Sequence, residues 1–273
     1  MTEIHRYGWI PDLPELPKGK TMRTIARYGW IPDLPDQRDK MYVPGAEKLA
    51  RAAADLPPSI NLSAQCGPVL DQGQLGSCTA NATAGAISFI EPGFGGSRLF
   101  MYYNGRALEG TVSVDSGCQL RDVVSQVTKL GVCWESQWPY DIGAFAQRAW
   151  PECYVRARKD LLIQYLSIQQ DLNDLRASLV AGFPFIYGFT AYESFESDAV
   201  ASSGVVPMPG PDEGVAGGHA VMCMGYDDST SMFLCRNSWG SDWGQAGNFT
   251  IPYAYLTDSN LAADFWTLRK MEA

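Results

Sequence analysis

The segment DQGQLGSCTANA, residues 71–82, holds the densest chemical signal in this chain of 273 residues. Cys78 follows Gly76 and Ser77 at the predicted start of an Ala-rich helix. A helix N-terminus offers unpaired N–H groups and a positive dipole end, and both stabilise a thiolate. A free cysteine is, however, more often a small buried apolar residue than a nucleophile. This segment alone leaves both interpretations open.

Two neighbours of Cys78 favour catalysis. Gln72 lies six residues earlier, where a loop can bring its amide N–H₂ beside the thiol. Together with the backbone N–H of Cys78, that amide would form an oxyanion hole. Gly76 would let the backbone approach a substrate carbonyl closely.

The segment GGHAVMCMGYDD, residues 217–228, supplies a candidate base. A catalytic base needs an imidazole within hydrogen-bond reach of the thiol. The chain has two histidines, and His5 lies in the N-terminal tail, just before a repeated segment whose second copy is preceded by Ala26. A lone histidine is more often structural, but this count and context favour His219 as the base.

The segment RNSWGSDWGQAGNF, residues 236–249, supplies the third candidate. Asn237 follows a predicted hairpin, 18 residues past His219, and pairing of the two strands places it beside that histidine. Its side-chain oxygen would accept the imidazole N–H and fix the ring orientation. Trp239 would either cover this hydrogen bond or pack in the core, and the two roles are compatible.

In this order, QGQLGSC, GGHAV and NSWG resemble the papain-like (C1) cysteine peptidases. In that family the histidine and asparagine lie roughly 130–150 residues after the cysteine. Here His219 and Asn237 lie 141 and 159 residues after Cys78, and the resemblance runs from about Leu56 to near the C-terminus. It implies an α+β, two-lobe fold. A helical left lobe and an antiparallel β-barrel-like right lobe would face each other across the active-site cleft.

The resemblance also implies a cysteine endopeptidase that works through a thiolate–imidazolium pair and an acyl-enzyme intermediate. The implied catalytic residues are Cys78, His219, Asn237 and Gln72. Gly117, in VDSGCQL, matches the glycine whose backbone pairs with an extended substrate. The expected substrate-binding residues are Gly117, Gly76, Gly218, Trp239 and Trp243. We expect peptide or protein substrates, a monomer, and no metal or organic cofactor. A thiol acyltransferase or amidase, and a non-catalytic peptide-binding protein, are the alternatives.

Departures from the family pattern favour a microbial or viral branch. Thr79 stands where the family usually has an aromatic residue. Leu75 replaces a cysteine that usually forms a disulfide. The stretch before Leu56 is also short, without the long helical prosegment of lysosomal members.

Composition excludes several classes of binding partner. The net charge is −9 and no run of Lys or Arg stands out, which argues against nucleic acid and anionic membranes. The sequence contains no stretch of 18 apolar residues, so it predicts no membrane-spanning helix. Seven cysteines without a C-x-x-C pair give little support for zinc. The N-terminus has no apolar signal-peptide core, so we expect a reducing, cytoplasmic location rather than secretion.

Periodicity predicts a helical first half and a β-rich second half. Helices are expected at 46–56, 77–90, 119–130 and 169–181. Strands are expected in FPFIYGFTAY, GHAVMCMGY, MFLCRNSW and GNFTIPYAY, with a hairpin turn at 227–230. Cys223 and Cys235 lie at matching distances from that turn. They are either facing partners or two separate buried thiols.

The N-terminal region contains a repeat. The first copy, RYGWIPDLPE (residues 6–15), recurs as the second copy, RYGWIPDLPD (residues 27–36). This repeat is either a duplicated tail segment or the upstream extension of a chain that once started at Met22. Alternatively, one copy packs on the folded domain with Trp9 or Trp30 as its anchor. We predict an N-terminal extension or short prosegment at 1–57, as in a zymogen, followed by a peptidase domain at 58–273. The extension would mask part of the cleft.

Overall fold

A helix of small residues runs through the centre of the molecule. This helix, α1, spans Cys78–Ile90, and ten of its thirteen residues are buried. Most of its side chains are Ala, Thr or Cys, so neighbouring elements approach its backbone closely and keep native packing density. The computed structural model describes residues 28–42, 56–160 and 163–270, without the side chains of 159 and 160.

Six further helices occur in the described residues. They are α2 (Arg98–Glu109), α3 (Leu120–Leu130), α4 (Pro151–Asp160), α5 (Leu172–Val180), α6 (Asp198–Ser203) and α7 (Tyr253–Thr257). Single 3₁₀ turns occur at Ser63–Gln65, Ile142–Ala144 and Glu193–Glu196. Helix α2 begins where the Ser97 hydroxyl accepts the Phe100 N–H, a common N-cap arrangement. Helices α2 and α3 pack against α1 and form a helical lobe.

The other lobe is built on an antiparallel sheet. Its strands are β2 (Ser59–Asn61), β4 (Ile163–Ser167), β5 (Phe185–Tyr192), β6 (Val215–Asp227), β7 (Met232–Arg236), β8 (Asn248–Pro252) and β9 (Ala262–Lys270). The order is β4-β9-β5-β6-β7-β8, and β2 pairs with β6. The sheet is open, because its end strands β4 and β8 do not pair with each other. Strand β6 also packs on α1, so it joins the two lobes.

A short ladder links the N-terminal segment to the helical lobe. Strand β1 (Trp30–Ile31) pairs in parallel with β3 (Cys118–Gln119). Further along, Met41 bridges Ser167 at the sheet edge. The second copy of the repeat therefore lies against the folded domain.

The α+β, two-lobe class is confirmed. The predicted helices at 77–90, 119–130 and 169–181 correspond to α1, α3 and α5, whereas α2, α4 and α6 were not predicted. The hairpin at 227–230 joins β6 to β7. The predicted strand GNFTIPYAY ends at Pro252 and continues as α7. Cys223 does face Cys235, and both are free thiols.

The helix predicted at 46–56 and the first copy lie outside the described residues. No described helix has the length and apolar character needed to cross a membrane.

Gly131, at the end of α3, gives a test of this packing. Its backbone has φ +74° and ψ −167°, and a Cβ there would lie 1.8 Å from the Ala157 carbonyl oxygen. We expect Gly131→Ala to lower the free energy of unfolding by about 3 kcal/mol or more, since it combines a glycine-only conformation with a clash.

Gly110, at the end of α2, is the matched control. It has an ordinary left-handed conformation, and a Cβ there would have no neighbour within 4 Å. Gly110→Ala should cost only about 1 kcal/mol. Urea unfolding of both variants in a Cys78→Ala background measures the difference, and equal losses would contradict this packing.

Candidate active site

Cys78 is the first residue of α1 and is completely buried. The preceding loop is held by Tyr140. The Tyr140 hydroxyl is 2.5 Å from the Ser77 hydroxyl and donates to the Gln72 carbonyl at 2.9 Å. Asn81 Nδ2 also donates to the Ser77 carbonyl, at 2.9 Å. These contacts fix the thiol at the helix N-terminus.

Gln72 ties this loop to the segment that contains Asn237. The Gln72 backbone N–H donates to the Ser238 carbonyl at 2.9 Å, and the Ser238 hydroxyl donates to Gln72 Oε1 at 2.6 Å. Gln72 Nε2 donates to the Leu75 carbonyl at 2.9 Å. The side chain is buried, so its amide orientation is set by protein groups.

His219 and Asn237 meet across the β6–β7 hairpin. His219 Nε2 lies 2.8 Å from Asn237 Oδ1. The same oxygen accepts the Ser238 N–H at 2.8 Å, which identifies it as the amide oxygen. His219 must therefore carry its proton on Nε2 in this contact. The other ring nitrogen, Nδ1, is buried and has no hydrogen-bond partner among the described residues. Nδ1 is the atom that remains to take a proton.

Aromatic rings enclose the imidazole. Trp239 lies over His219 with ring centroids 5.0 Å apart, and Phe189 and Phe195 contact it from other directions. Trp243 packs edge-on against Trp239 at 5.3 Å. This cluster keeps water from the His219–Asn237 hydrogen bond. Trp243 supports Trp239 from behind.

The second copy of the repeat covers Cys78 and His219. Tyr28 meets the His219 ring edge-on at 5.6 Å, and its hydroxyl donates to Glu196 at 2.7 Å. The Gly29 N–H donates to the Gly218 carbonyl at 3.1 Å, and the Gly29 carbonyl accepts the Cys118 N–H at 2.8 Å. The segment thus bridges both lobes directly over the thiol.

Glycines allow this close approach. A Cβ on Gly29 would lie 1.8 Å from the Gly76 carbonyl oxygen. Four glycines of the domain would likewise clash with the second copy if they carried a Cβ: Gly117 with the Gly29 carbonyl, Gly188 and Gly218 with Trp30, and Gly217 with Tyr28. The groove is therefore shaped to admit a peptide backbone.

Trp30 and Asp33 anchor the second copy beside β9. The Trp30 indole N–H donates to Asp264 at 2.9 Å, and the Asp33 N–H donates to the same carboxylate at 2.8 Å. Asp33 in turn accepts from the Trp266 indole at 2.9 Å and from the Arg121 backbone N–H at 3.1 Å. Two buried carboxyl groups therefore hold the segment.

The environment of Asp33 favours its neutral form. Burial and the nearby charge of Asp264 raise the pKa of Asp33 to about 8, although hydrogen bonds from Arg121 and Trp266 oppose the shift. Burial likewise raises the pKa of Asp264. Protonation of Asp33 is therefore linked to docking of the second copy.

The covered site also favours a neutral thiol and a neutral imidazole. Burial raises the pKa of Cys78 to about 12, and the N–H groups of Ala220 and Gly29 offset only part of this. Burial lowers the pKa of His219 to about 4, against the opposing hydrogen bond to Asn237. With the second copy in place, the thiolate–imidazolium pair is unfavourable.

The structure brings most of the predicted site residues together. Gln72 and Asn237 share Ser238 as a partner, and Gly76 and Gly218 both contact Gly29. Gly117 lies against the second copy, but its own N–H donates to the Tyr102 hydroxyl at 3.1 Å. The next residue, Cys118, makes the backbone hydrogen bond instead.

Sequence reasoning missed Asp264, Glu196 and Cys118. An aspartate inside the apolar segment AADFW was the available signal for Asp264, since a carboxylate in a buried strand needs a partner. Glu196 and Cys118 carried no comparable signal, because their role depends on where the second copy lies.

Comparison with known proteins decides the family. The papain family cysteine protease profile matches residues 56–264. The chain belongs to the papain family of cysteine proteases. It is 40% identical over 216 residues to an uncharacterized peptidase C1-like protein of Acanthamoeba polyphaga mimivirus, covering 74% of this chain and 70% of that protein. The crystal structure of xylellain, a cysteine protease from Xylella fastidiosa, matches with a TM-score of 0.83 and 39% identity, covering 93% of this chain and 99% of xylellain.

Another relative is more distant. Cathepsin B-like CP3 of Giardia intestinalis is 28% identical over 255 residues, which cover 89% of this chain and 83% of that protein. The family and fold predictions are thus confirmed, and the protein is a cysteine peptidase that acts on peptides or proteins.

Removal of the cover should change the titration of Cys78. A chain that begins at Leu56 lacks the second copy, so its thiol regains solvent and its pKa should fall. We expect iodoacetamide to alkylate Cys78 of this chain rapidly near neutral pH, whereas the full chain reacts slowly until the pH is high. Mass spectrometry of the Cys78 peptide measures both rates, with Cys66 as an internal control. Identical pH profiles would contradict the proposed cause of the shift.

Docking of the second copy should weaken as the pH rises. The pKa of Asp33 is about 8 when docked and roughly 4 when exposed, so docking is strongest at low pH and is lost progressively as the pH approaches 8. Asp33→Asn carries no charge at any pH. The ratio of Cys78 alkylation rates, wild type over Asp33→Asn, should therefore rise between about pH 4 and pH 8. A ratio that is independent of pH would refute the linkage, and titration of the thiol itself cancels in the ratio.

Proposed function

We propose that the protein is a cysteine endopeptidase in which Cys78 is the nucleophile, His219 the base and Asn237 the residue that orients it. The observation that carries this proposal is the 2.8 Å contact between His219 Nε2 and Asn237 Oδ1. It leaves Nδ1 as the only ring nitrogen able to exchange a proton with a thiol. The helix N-terminus at Cys78 supports the thiolate.

In the proposed reaction, the Cys78 proton moves to His219 Nδ1 and the thiolate attacks the scissile carbonyl carbon. The resulting oxyanion accepts hydrogen bonds from the Cys78 N–H and the Gln72 amide. His219 then protonates the leaving amine, and a thioester joins Cys78 to the acyl group. Water loses a proton to His219 and hydrolyses the thioester, which restores the thiol.

Gln72 suits the oxyanion role because its position is fixed before substrate binds. Its Oε1 accepts from Ser238 and its Nε2 donates to the Leu75 carbonyl. A donor that needs no reorientation stabilises developing charge more effectively than a mobile one.

We further propose that residues 1–57 act as a short prosegment whose second copy masks the cleft. Tyr28 covers His219, and Gly29 spans Gly218 and Cys118. Cys78 and His219 have no solvent exposure in this state. Burial also favours the neutral thiol and the neutral imidazole, so the cover would suppress both access and chemistry.

Both backbone groups of Gly29 are bound to the walls of the groove. The Gly29 N–H donates to the Gly218 carbonyl at 3.1 Å. The Gly29 carbonyl oxygen accepts the Cys118 N–H at 2.8 Å, so it already has a donor on the opposite wall of the groove. These contacts support a masking role rather than that of a bound substrate. We propose that the chain acts as a monomer, since one chain supplies both the site and its cover.

Replacement of the nucleophile tests the proposed chemistry. Cys78→Ala should abolish hydrolysis of a fluorogenic peptide by the chain that begins at Leu56, because no other thiol can replace it at the start of α1. Cys66→Ala removes a thiol that contacts Leu62 and Met224 rather than the proposed catalytic residues, and it should retain full activity. A Cys78→Ala chain that still hydrolyses peptides would end the proposal. A Cys66→Ala chain that loses activity would point to a general effect of thiol removal.

A further inference from the structure

The cleft has one place for a masking segment, but the chain has two copies of that segment. Residues 6–14 are identical to residues 27–35. We propose that the first copy is a second ligand for the same cleft, which takes the place of the second copy in the same chain when the latter is displaced. This inference rests on the proposed masking role of the second copy.

Every side chain through which the second copy contacts the domain is repeated. The anchoring residues are Tyr28, Gly29, Trp30 and Asp33, and their counterparts are Tyr7, Gly8, Trp9 and Asp12. These residues are not interchangeable. A Cβ at Gly29 would lie 1.8 Å from the Gly76 carbonyl oxygen, and the indole of the next residue donates to Asp264. The tripeptide YGW occurs twice in the chain, once in each copy.

Chain length permits the exchange. The two copies are offset by 21 residues, so the first copy can occupy the groove while residues 15–35 form a loop. The entropic cost of closing a loop rises only slowly with its length. A tethered ligand also acts at a high effective concentration. The first copy therefore competes efficiently as part of its own chain.

Contacts after the second copy explain why it occupies the groove first. Asp39 pairs with Arg121 at 3.1 Å. The Ser167 N–H donates to the Lys40 carbonyl at 2.8 Å, and the Ser167 carbonyl accepts the Tyr42 N–H at 2.6 Å. The position equivalent to Asp39 after the first copy is Lys18, so the first copy lacks this ion pair with Arg121. The second copy therefore binds more tightly and the first is held in reserve.

A consequence is that displacement of one copy leaves the cleft masked. The site would open only when both copies are lost. Cleavage after the second copy would remove both at once, whereas a local disturbance of the second copy would be corrected by the first.

Single methyl groups test this proposal in the full chain. Gly29→Ala places a Cβ against the Gly76 carbonyl and excludes the second copy. Gly8→Ala does the same to the first copy by sequence identity. The measurement is the rate at which iodoacetamide alkylates Cys78 in the wild type, the two single variants and the double variant. Thermal unfolding and circular dichroism verify that each variant is folded.

We expect Gly8→Ala to react as slowly as the wild type and Gly29→Ala to react faster than the wild type, because its remaining copy binds less tightly. The double variant should react at least about tenfold faster than Gly29→Ala. If Gly29→Ala alone reacts as fast as the double variant, the first copy does not bind and the proposal is overturned. A slow double variant would overturn it as well. Protection of Gly29→Ala that disappears on dilution would contradict binding within one chain, because it would place the first copy of another molecule in the cleft.

A peptide provides the second measurement. The peptide RYGWIPDLPE, added to the double variant, should restore protection of Cys78, and RYAWIPDLPE should not. If the first peptide fails to protect, the proposal is overturned. Peptide hydrolysis, recorded in parallel, separates the two claims: a double variant that is alkylated rapidly but hydrolyses nothing would contradict the peptidase function and leave this inference standing.

Discussion

Close approach of backbones is the constraint on which this structure depends. Helix α1 consists mostly of small residues, so strand β6 can pack directly on it and bring His219 to the N-terminal end that carries Cys78. Small residues also shape the groove, where Gly76 and Gly218 leave room for a peptide backbone. A bulky residue at these points would separate the lobes or close the groove. The packing of the lobes, the catalytic site and the docking of the second copy therefore all require small residues where backbones meet.

Burial has opposite effects on the chemistry in the covered and open states. A helix N-terminus and the Asn237 contact both favour charge on the catalytic pair, yet complete burial raises the pKa of Cys78 and lowers that of His219. In the covered state the burial effect is larger. The second copy therefore does more than obstruct the groove, because it also holds the pair in its neutral form. Its own anchor, Asp33, is a buried carboxyl group that prefers to be protonated.

Much of the site could be predicted from the sequence because its chemistry is local. Cys78 lies at a helix start, and a hairpin of predictable register sets Asn237 beside His219. Asp264 was missed because its role depends on a partner more than 230 residues away in sequence. Helix α2 was missed because its buried face includes Arg98 and Arg106, which obscure an apolar period. The groove contact at Cys118 rather than Gly117 depends on the Tyr102 hydroxyl, which no motif reveals.

Hydrogen exchange of the full chain tests most directly whether the second copy covers the active site. The N–H groups of Gly29, Asp33 and Leu34 donate to Gly218, Asp264 and Gln119. In a Cys78→Ala chain, peptides from residues 27–36 should therefore retain deuterium-resistant amides well beyond the exchange time of an unstructured peptide. Mass spectrometry distinguishes the two copies, because they differ at Glu15 and Asp36. Complete exchange of residues 27–36 at the earliest time point would contradict the account.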